Sequence, residues 1–130
     1  MTTELRKNKA ETIWGQLAQC IGTEHYYRHD LMRGFYFTDG IKAMAELCKG
    51  YWLIDVVASY QIYHAKRPFQ VWELKVEQGE LGSCRTGVIT MQEDAGEPVK
   101  VRLLIPHVDF PLDFIKLFVV KGVLLLPSEY

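Results

Sequence analysis

Two histidines, His25 and His29, stand four residues apart and are the first residues whose spacing suggests chemistry. On a helical turn, this spacing would point both imidazoles the same way, where they could bind a metal such as zinc. A third ligand is needed, and only the fold could bring one, such as His64 or His107, close to them. The two histidines are therefore weak metal candidates, and local hydrogen bonding is the competing interpretation.

Asp55 lies inside an apolar run of the sequence, where an ionised carboxylate is costly to bury unless it is paired or hydrogen-bonded. A structural pin to Arg28 or to a backbone N–H is the simpler interpretation. The sharper one is a catalytic carboxylate. With His25 and His29, Asp55 would serve a small hydrolase or a metal-dependent enzyme.

The segment 26–37 is dense in aromatic and basic side chains. Five of them could form a platform that stacks a base or a peptide side chain: Tyr26, Tyr27, Arg28, Arg33 and Tyr36. Aromatic residues before a helix more often seal that helix against a sheet. Irregular segments carry function more often than regular ones, so we predict that this segment is the binding surface.

Signatures of other chemistries are absent from the sequence. The three cysteines, Cys20, Cys48 and Cys84, are an odd number at wide spacing, which is not the pattern of a disulfide framework or a Cys-x-x-Cys metal site. No glycine-rich phosphate loop and no nucleophile-elbow motif is present. The sequence therefore predicts no cofactor, and a catalytic residue can be named only as a candidate.

Charge and hydropathy narrow the partners and the location. The formal net charge is −1, so no overall positive field attracts nucleic-acid phosphates. The N-terminus is polar, and the longest apolar run, 114–126, is interrupted by Lys116, Lys121 and Gly122. We expect a cytoplasmic protein without a membrane span, and the net charge disfavours nucleic-acid binding.

Helical periodicity predicts three helices before residue 68. The first begins at Thr3 and ends by Gly22, the second begins at the Thr-Asp-Gly string 38–40 and closes at Gly50, and the third runs from Tyr51 to the Arg-Pro pair 67–68. The segment 23–37 between the first two helices is predicted to be irregular.

The period changes to two beyond residue 69, which predicts strands with one solvent-facing side. One hairpin is expected between 81–91 and 99–105, joined by the turn 93–96, and another around the Lys-Gly pair 121–122. The prediction is a single α+β domain, residues 1–130. It has two layers, with about three N-terminal helices on one face of a mainly antiparallel sheet of about five strands.

Six strings together resemble a family of small bacterial proteins that occur as stand-alone chains and are classed as a domain of unknown function. They are GTEHYYRH (22–29), FTDG (37–40), YWLID (51–55), FQVW (69–72), DFPL (109–112) and GVLLLPSEY (122–130). The resemblance spans roughly residue 22 to the end. It implies a single domain and a cytoplasmic location, and it transfers no catalytic residue.

The functional prediction is a non-catalytic domain that binds another protein, or itself as a homodimer, through the aromatic segment and an exposed sheet edge. The alternative is the small hydrolase or metal-dependent enzyme that uses His25, His29 and Asp55. A third possibility is an accessory nucleic-acid-associated protein of a plasmid or phage, with a local patch from Arg28, Arg33, Lys66 and Arg67. An enzyme requires its candidates to converge in a cleft, whereas a binding domain requires an exposed apolar patch.

Overall fold

A computed structural model shows three α-helices and one seven-stranded mixed sheet, and it describes residues 3–64, 66–78, 85–94 and 96–130. The helices are α1 (Thr3–Leu17), α2 (Asp39–Cys48) and α3 (Tyr51–His64), and a short 3-10 helix (Pro127–Glu129) follows the last strand. The strands are β1 (Tyr26–Arg28), β2 (Tyr36–Thr38), β3 (Phe69–Gln78), β4 (Arg85–Gln92), β5 (Val99–Ile105), β6 (Phe114–Val120) and β7 (Val123–Leu125).

The order of strands across the sheet is β1-β2-β7-β6-β3-β4-β5. All neighbours are antiparallel except β2 and β7, which run parallel with Tyr36 opposite Val123. The α+β class is confirmed, but the prediction of about five strands in a mainly antiparallel sheet was wrong in detail. The two extra strands, β1 and β2, come from the segment predicted to be irregular, and they lie between α1 and α2, so the helices do not all precede the sheet.

The helix boundaries follow local capping. The Thr38 side chain accepts the N–H of Ile41 and caps α2, which confirms the predicted start of this helix. Its left-handed C-cap is Lys49, with φ of 53°, rather than the predicted Gly50. α1 ends at Leu17, short of the predicted Gly22.

The two predicted hairpins are present. In the first, β4 and β5 pair antiparallel. Residues 81–84 of the predicted strand 81–91, and residue 95 of the predicted turn, lie outside the described part of the chain. β6 and β7 are joined by Lys121 and Gly122, whose φ angles of 49° and 83° are those of a tight two-residue hairpin turn.

Alternation along the strands gives the sheet two different faces. On β3, Gln70, Trp72 and Leu74 are buried in the core under the helices, whereas Phe69 and Glu73 point to the opposite face. No described α-helix packs on that opposite face, but the residues after β7 cover part of it, since Tyr130 packs on Phe69 and Phe118 and Val71 is only 3% exposed. Among the described residues, no helix combines the length and the apolar character that crossing a bilayer would require.

Candidate functional site

The fold brings His29 and Asp55 into contact, with Nε2 2.8 Å from Oδ1. The other ring nitrogen of His29, Nδ1, accepts the backbone N–H groups of Leu31 at 3.2 Å and Met32 at 3.1 Å. Because Nδ1 accepts, the ring proton lies on Nε2 and is donated to Asp55. Both nitrogens of His29 are therefore used to fix the β1–β2 loop against α3.

The expectation that Asp55 is buried was wrong. Its side chain is 70% exposed, because α3 turns Leu53, Ile54 and Val57 into the core and Asp55 toward solvent. Its partner is His29 rather than Arg28 or a backbone N–H. The pair joins the β1–β2 loop to α3, and an exposed pair of this kind contributes only about 1 kcal/mol or less.

His25 is held elsewhere. β1 is a strand, so His25 and His29 are separated by roughly 13 Å of extended chain instead of one helical turn. His25 Nδ1 lies 3.5 Å from Asp39 Oδ1, on a different helix from Asp55. The two imidazoles thus engage different carboxylates, and the described residues contain no group of three or more His, Cys, Asp or Glu side chains arranged to hold a metal.

Asp39, the first residue of α2, is the carboxylate that organises this region, and sequence reasoning missed it. It accepts hydrogen bonds from the Glu24 N–H at 2.9 Å, the His25 N–H at 3.2 Å and the Tyr27 hydroxyl at 2.9 Å. Thr23 Oγ1 accepts the N–H of Asp39 itself at 2.9 Å. These donors, with the Glu24 amide foremost, lower the pKa of Asp39 to about 2.

We predict that Asp39 makes stability depend on pH in the acid range. Because its folded pKa is lowered to about 2 from an ordinary value of 3.8, its contribution is present above about pH 4 and is lost as the pH falls toward 2. Urea unfolding of Asp39→Asn between pH 2 and 7 should show lower stability than the wild type at pH 7 and a flatter slope across that window. Glu24→Gln is the control, since Glu24 contributes only its backbone N–H. An Asp39→Asn variant that keeps the wild-type acid slope would contradict the assignment.

The predicted aromatic platform is divided between the two faces of the sheet. Tyr27 points inward, where its ring stacks on Phe37 at 5.5 Å between centroids and Lys42 Nζ lies 4.6 Å from the ring centre. The hydrogen bond to Asp39 raises the pKa of Tyr27. Its hydroxyl and its ring are thus engaged within the protein.

The other members of the platform lie outside. Arg28 pairs with Tyr36 in the sheet register, so these two and Tyr26 point to the face opposite the helices. Arg33 lies in the exposed β1–β2 loop, whose Gly34 has a φ of 76°. The structure therefore brings Tyr26, Arg28 and Tyr36 together and separates them from Tyr27.

These tyrosines continue into a larger surface that we name the aromatic face. Its members lie on the side of the sheet opposite the α-helices, where Tyr130 packs over the strand residues: Tyr26, Tyr36, Phe69, Phe118, Val120, Val123 and Tyr130. The rings of Phe69, Phe118 and Tyr130 form a cluster with centroid distances of 5.0 to 5.7 Å. The sequence contained a signal for this surface. Aromatic residues such as Phe69 and Phe118 occupy alternate strand positions that would be polar if that side of the sheet only faced solvent.

A groove of about 280 Å³ runs across the aromatic face between Tyr26 and Tyr130. Its apolar lining residues are Val120, Val123 and Leu125. The two tyrosines are 61% and 72% exposed, so the groove presents aromatic side chains to solvent. Such a groove fits an apolar or aromatic side chain presented by another molecule.

The N-terminus of α2 could have been an anion site, but the protein fills it with its own Glu129. Glu129 Oε1 accepts the Thr38 hydroxyl at 2.6 Å and the Leu126 N–H at 3.0 Å, and Oε2 accepts the Gly40 N–H at 3.1 Å. Two of the six strings, FTDG and GVLLLPSEY, thus meet in one contact. Thr38, Gly40 and Glu129 of these strings therefore stabilise the fold at this contact, and no ligand is needed to explain them.

The two described cysteines, Cys20 and Cys48, lack the character of nucleophiles. Cys48 is buried, and burial raises the pKa of its thiol to about 11. Burial, with the charges of Glu129 and Asp39, also raises the pKa of Cys20. Cys84 lies outside the described residues. Thiolate chemistry is thus disfavoured at the two described cysteines near neutral pH.

Comparisons with known proteins agree with the sequence resemblance. Searches of curated proteins and of solved structures found no match. A family model does match, and it begins at residue 11, so it includes the second half of α1, which the resemblance from residue 22 did not. The chain belongs to the family of unknown function DUF6876, whose model matches residues 11–130.

Proposed function

We propose that this chain is a protein-association domain whose interface is the aromatic face, and that it performs no catalysis. The observation that carries the proposal is the contrast between the two sides of the sheet. One side is sealed by helices, whereas the other presents an aromatic cluster and a groove that the residues after β7 cover only in part, with Tyr130 packed on Phe69. A partner protein, or a second copy of the chain, would complete the second layer.

The size of this surface supports the proposal. Tyr26, Tyr36 and Tyr130 are 61%, 37% and 72% exposed. With about 150–250 Å² per aromatic side chain, these three alone present on the order of 350 Å², the size of the largest apolar patches on monomers, which are often functional. The partly exposed Phe69 and Phe118 extend it further.

The composition of the surface also fits an interface. Tyrosine and arginine are enriched at the centres of protein interfaces, because a tyrosine combines a large rigid apolar ring with a hydroxyl that can form hydrogen bonds. Arg28 borders the aromatic face beside Tyr36 and forms no ion pair with a described residue. An arginine without an internal partner is available to a carboxylate or a carbonyl of the other protein.

The enzyme alternative is less well supported. His29 and Asp55 converge beside a cleft of about 410 Å³, but both nitrogens of His29 are already engaged, so no basic nitrogen faces a substrate. The nucleic-acid alternative loses a member of its patch, because Arg67 forms an ion pair with Glu93 and a hydrogen bond to His64. Neither alternative uses the aromatic face.

Photocrosslinking tests the proposal. The photoreactive residue p-benzoylphenylalanine in place of Tyr36 should give a discrete adduct, either with a second copy in the purified protein or with a protein of its own cells. Tyr63 is the matched control, because it is 79% exposed but lies on α3. Adding Tyr26→Asp should abolish the adduct by placing a charge in the interface.

The possible outcomes separate the proposal from nonspecific labelling. An adduct at Tyr36 that Tyr26→Asp removes, with none at Tyr63, supports association through the aromatic face, and its mass tells a second copy from another protein. Equal labelling at Tyr36 and Tyr63 would contradict the proposal. So would the absence of an adduct at Tyr36 in both the purified protein and the cells.

A further inference from the structure

The strand at the far end of the sheet from the aromatic groove, β5, is a long open edge. Among the described strands it pairs with β4 alone, and in that register Thr90 lies opposite Arg102 and Val88 opposite Leu104. On its outer side, no backbone N–H or C=O of β5 bonds to a described residue. The unpaired backbone groups of such an edge are a template for one more strand, and they are regular from Val101 to Ile105, since the register with β4 shifts between Val99 and Val101.

The side chains of this edge indicate what kind of strand would fit. Lys100, Arg102 and Leu104 are all exposed, Leu104 to 67%. Arg102 and Leu104 lie on the side opposite the helices, and Lys100 lies at the register shift before them. Neither Lys100 nor Arg102 forms an ion pair with a described residue. The edge thus offers two unneutralised cations followed by an apolar residue.

A second copy of β5 is a poor occupant of this edge. If the β5 strands of two copies paired antiparallel along all seven residues, Val99 of one copy would lie opposite Ile105 of the other. At the centre, the two Arg102 residues would face each other. Like charges directly opposite one another across a strand pair are destabilising. Lys100 would face Leu104, which leaves its charge without a partner as well.

We propose that the β5 edge binds an extended acidic segment of a partner protein, which adds to the sheet antiparallel as an eighth strand. Backbone hydrogen bonds would supply the pairing, and acidic residues opposite Lys100 and Arg102 would select the segment and its register. This site is separate from the aromatic face, and the inference does not rest on the function proposed for that face.

The direct test is binding of a capped seven-residue peptide to the full chain by isothermal titration calorimetry. The peptide carries glutamates opposite Lys100 and Arg102, and valine or threonine elsewhere. The matched peptide has lysines at the same two positions. We expect saturable binding of the acidic peptide and at least tenfold weaker binding of the lysine peptide. No binding of the acidic peptide, or equal binding of both, would overturn the proposal.

A charge exchange tests which residues select the peptide. The double variant Lys100→Glu, Arg102→Glu should invert the preference and bind the lysine peptide more tightly. Both side chains are exposed, so the variant should keep the wild-type circular dichroism spectrum and thermal midpoint. If the variant folds and still prefers the acidic peptide, the β5 edge is not the site.

Backbone methylation separates strand addition from simple charge attraction. Alternate residues of an added strand point their N–H groups toward β5 and away from it. Two acidic peptides, N-methylated on the two alternate sets of residues, carry the same charge. Strand addition predicts that one binds like the parent peptide and the other does not. If both bind, or if neither does, the peptide is not held as a strand.

Discussion

Replacing Gln70 with leucine will lower the free energy of unfolding by about 3–5 kcal/mol, although leucine is apolar and similar in size. The amide of Gln70 is fully buried between β3 and α3. Its Oε1 accepts Gln61 Nε2 at 2.9 Å and Trp72 Nε1 at 2.8 Å, and its Nε2 donates to Gln61 Oε1 at 2.9 Å. Leucine would leave the indole N–H of Trp72 and part of the Gln61 amide without partners.

The magnitude follows from the number of groups left unpaired. Each buried polar group without a partner costs about 1–3 kcal/mol, and Trp72 and Gln61 are only 1% and 4% exposed. Gln61→Leu is the matched control. It removes the reciprocal amide pair but keeps the bonds from Gln70 to Trp72 and to the His64 carbonyl, so it should cost only about 1–3 kcal/mol.

Guanidinium unfolding of both variants, with a comparison of their m-values, gives the measurement. Equal losses for Gln70→Leu and Gln61→Leu would mean that the bond to the indole contributes little. A loss below about 1 kcal/mol for Gln70→Leu would contradict the network as described.

Gly40→Ala will destabilise the wild-type protein by about 2 kcal/mol, yet it will be neutral or stabilising when Glu129 is replaced by alanine. A Cβ at Gly40 would lie 2.4 Å from Glu129 Oε1 and 2.9 Å from Oε2. The carboxylate must then leave the Thr38 hydroxyl and the Gly40 N–H, which it holds in charge-assisted hydrogen bonds. Without Glu129, the general preference of a helix for alanine over glycine, about 0.5–1 kcal/mol, decides the sign.

A double-mutant cycle by chemical denaturation measures this coupling. Gly15→Ala in α1 is the control, because nothing lies within 4 Å of a Cβ at that position, so the substitution should have the same small effect with or without Glu129. Effects of Gly40→Ala and Glu129→Ala that add within about 0.5 kcal/mol would show that the two residues do not interact.

Much of the fold could be predicted because its signals are local. The alternation that starts at Trp72, the turn at Lys121 and Gly122 and the cap at Thr38 each depend on a few neighbouring residues. β1 and β2 could not be predicted in this way, because three residues are too few to show a period of two. Their pairing with each other and with β7 is set by residues distant in sequence.

The candidate site shows the same division. Tyr26 and Tyr36 belong to the predicted segment, but their separation from Tyr27 depends on recognising β1 as a strand. Tyr130 joins them only because β7 runs beside β2 and Tyr130 packs on Phe69. Asp55 was misplaced because α3 is apolar over much of its circumference, so the pattern does not show which side faces the core.

The contact between Glu129 and the start of α2 also bears on the order of folding. Glu129 is separated in sequence from its two partners, Thr38 and Gly40, by 91 and 89 positions. The parallel pairing of β2 with β7 closes a loop of similar length. Such closures are entropically costly and slow, and they raise the contact order of the chain. On the ribosome, Tyr26 and Tyr36 must wait until β7 and Tyr130 have been synthesised before the aromatic face can form.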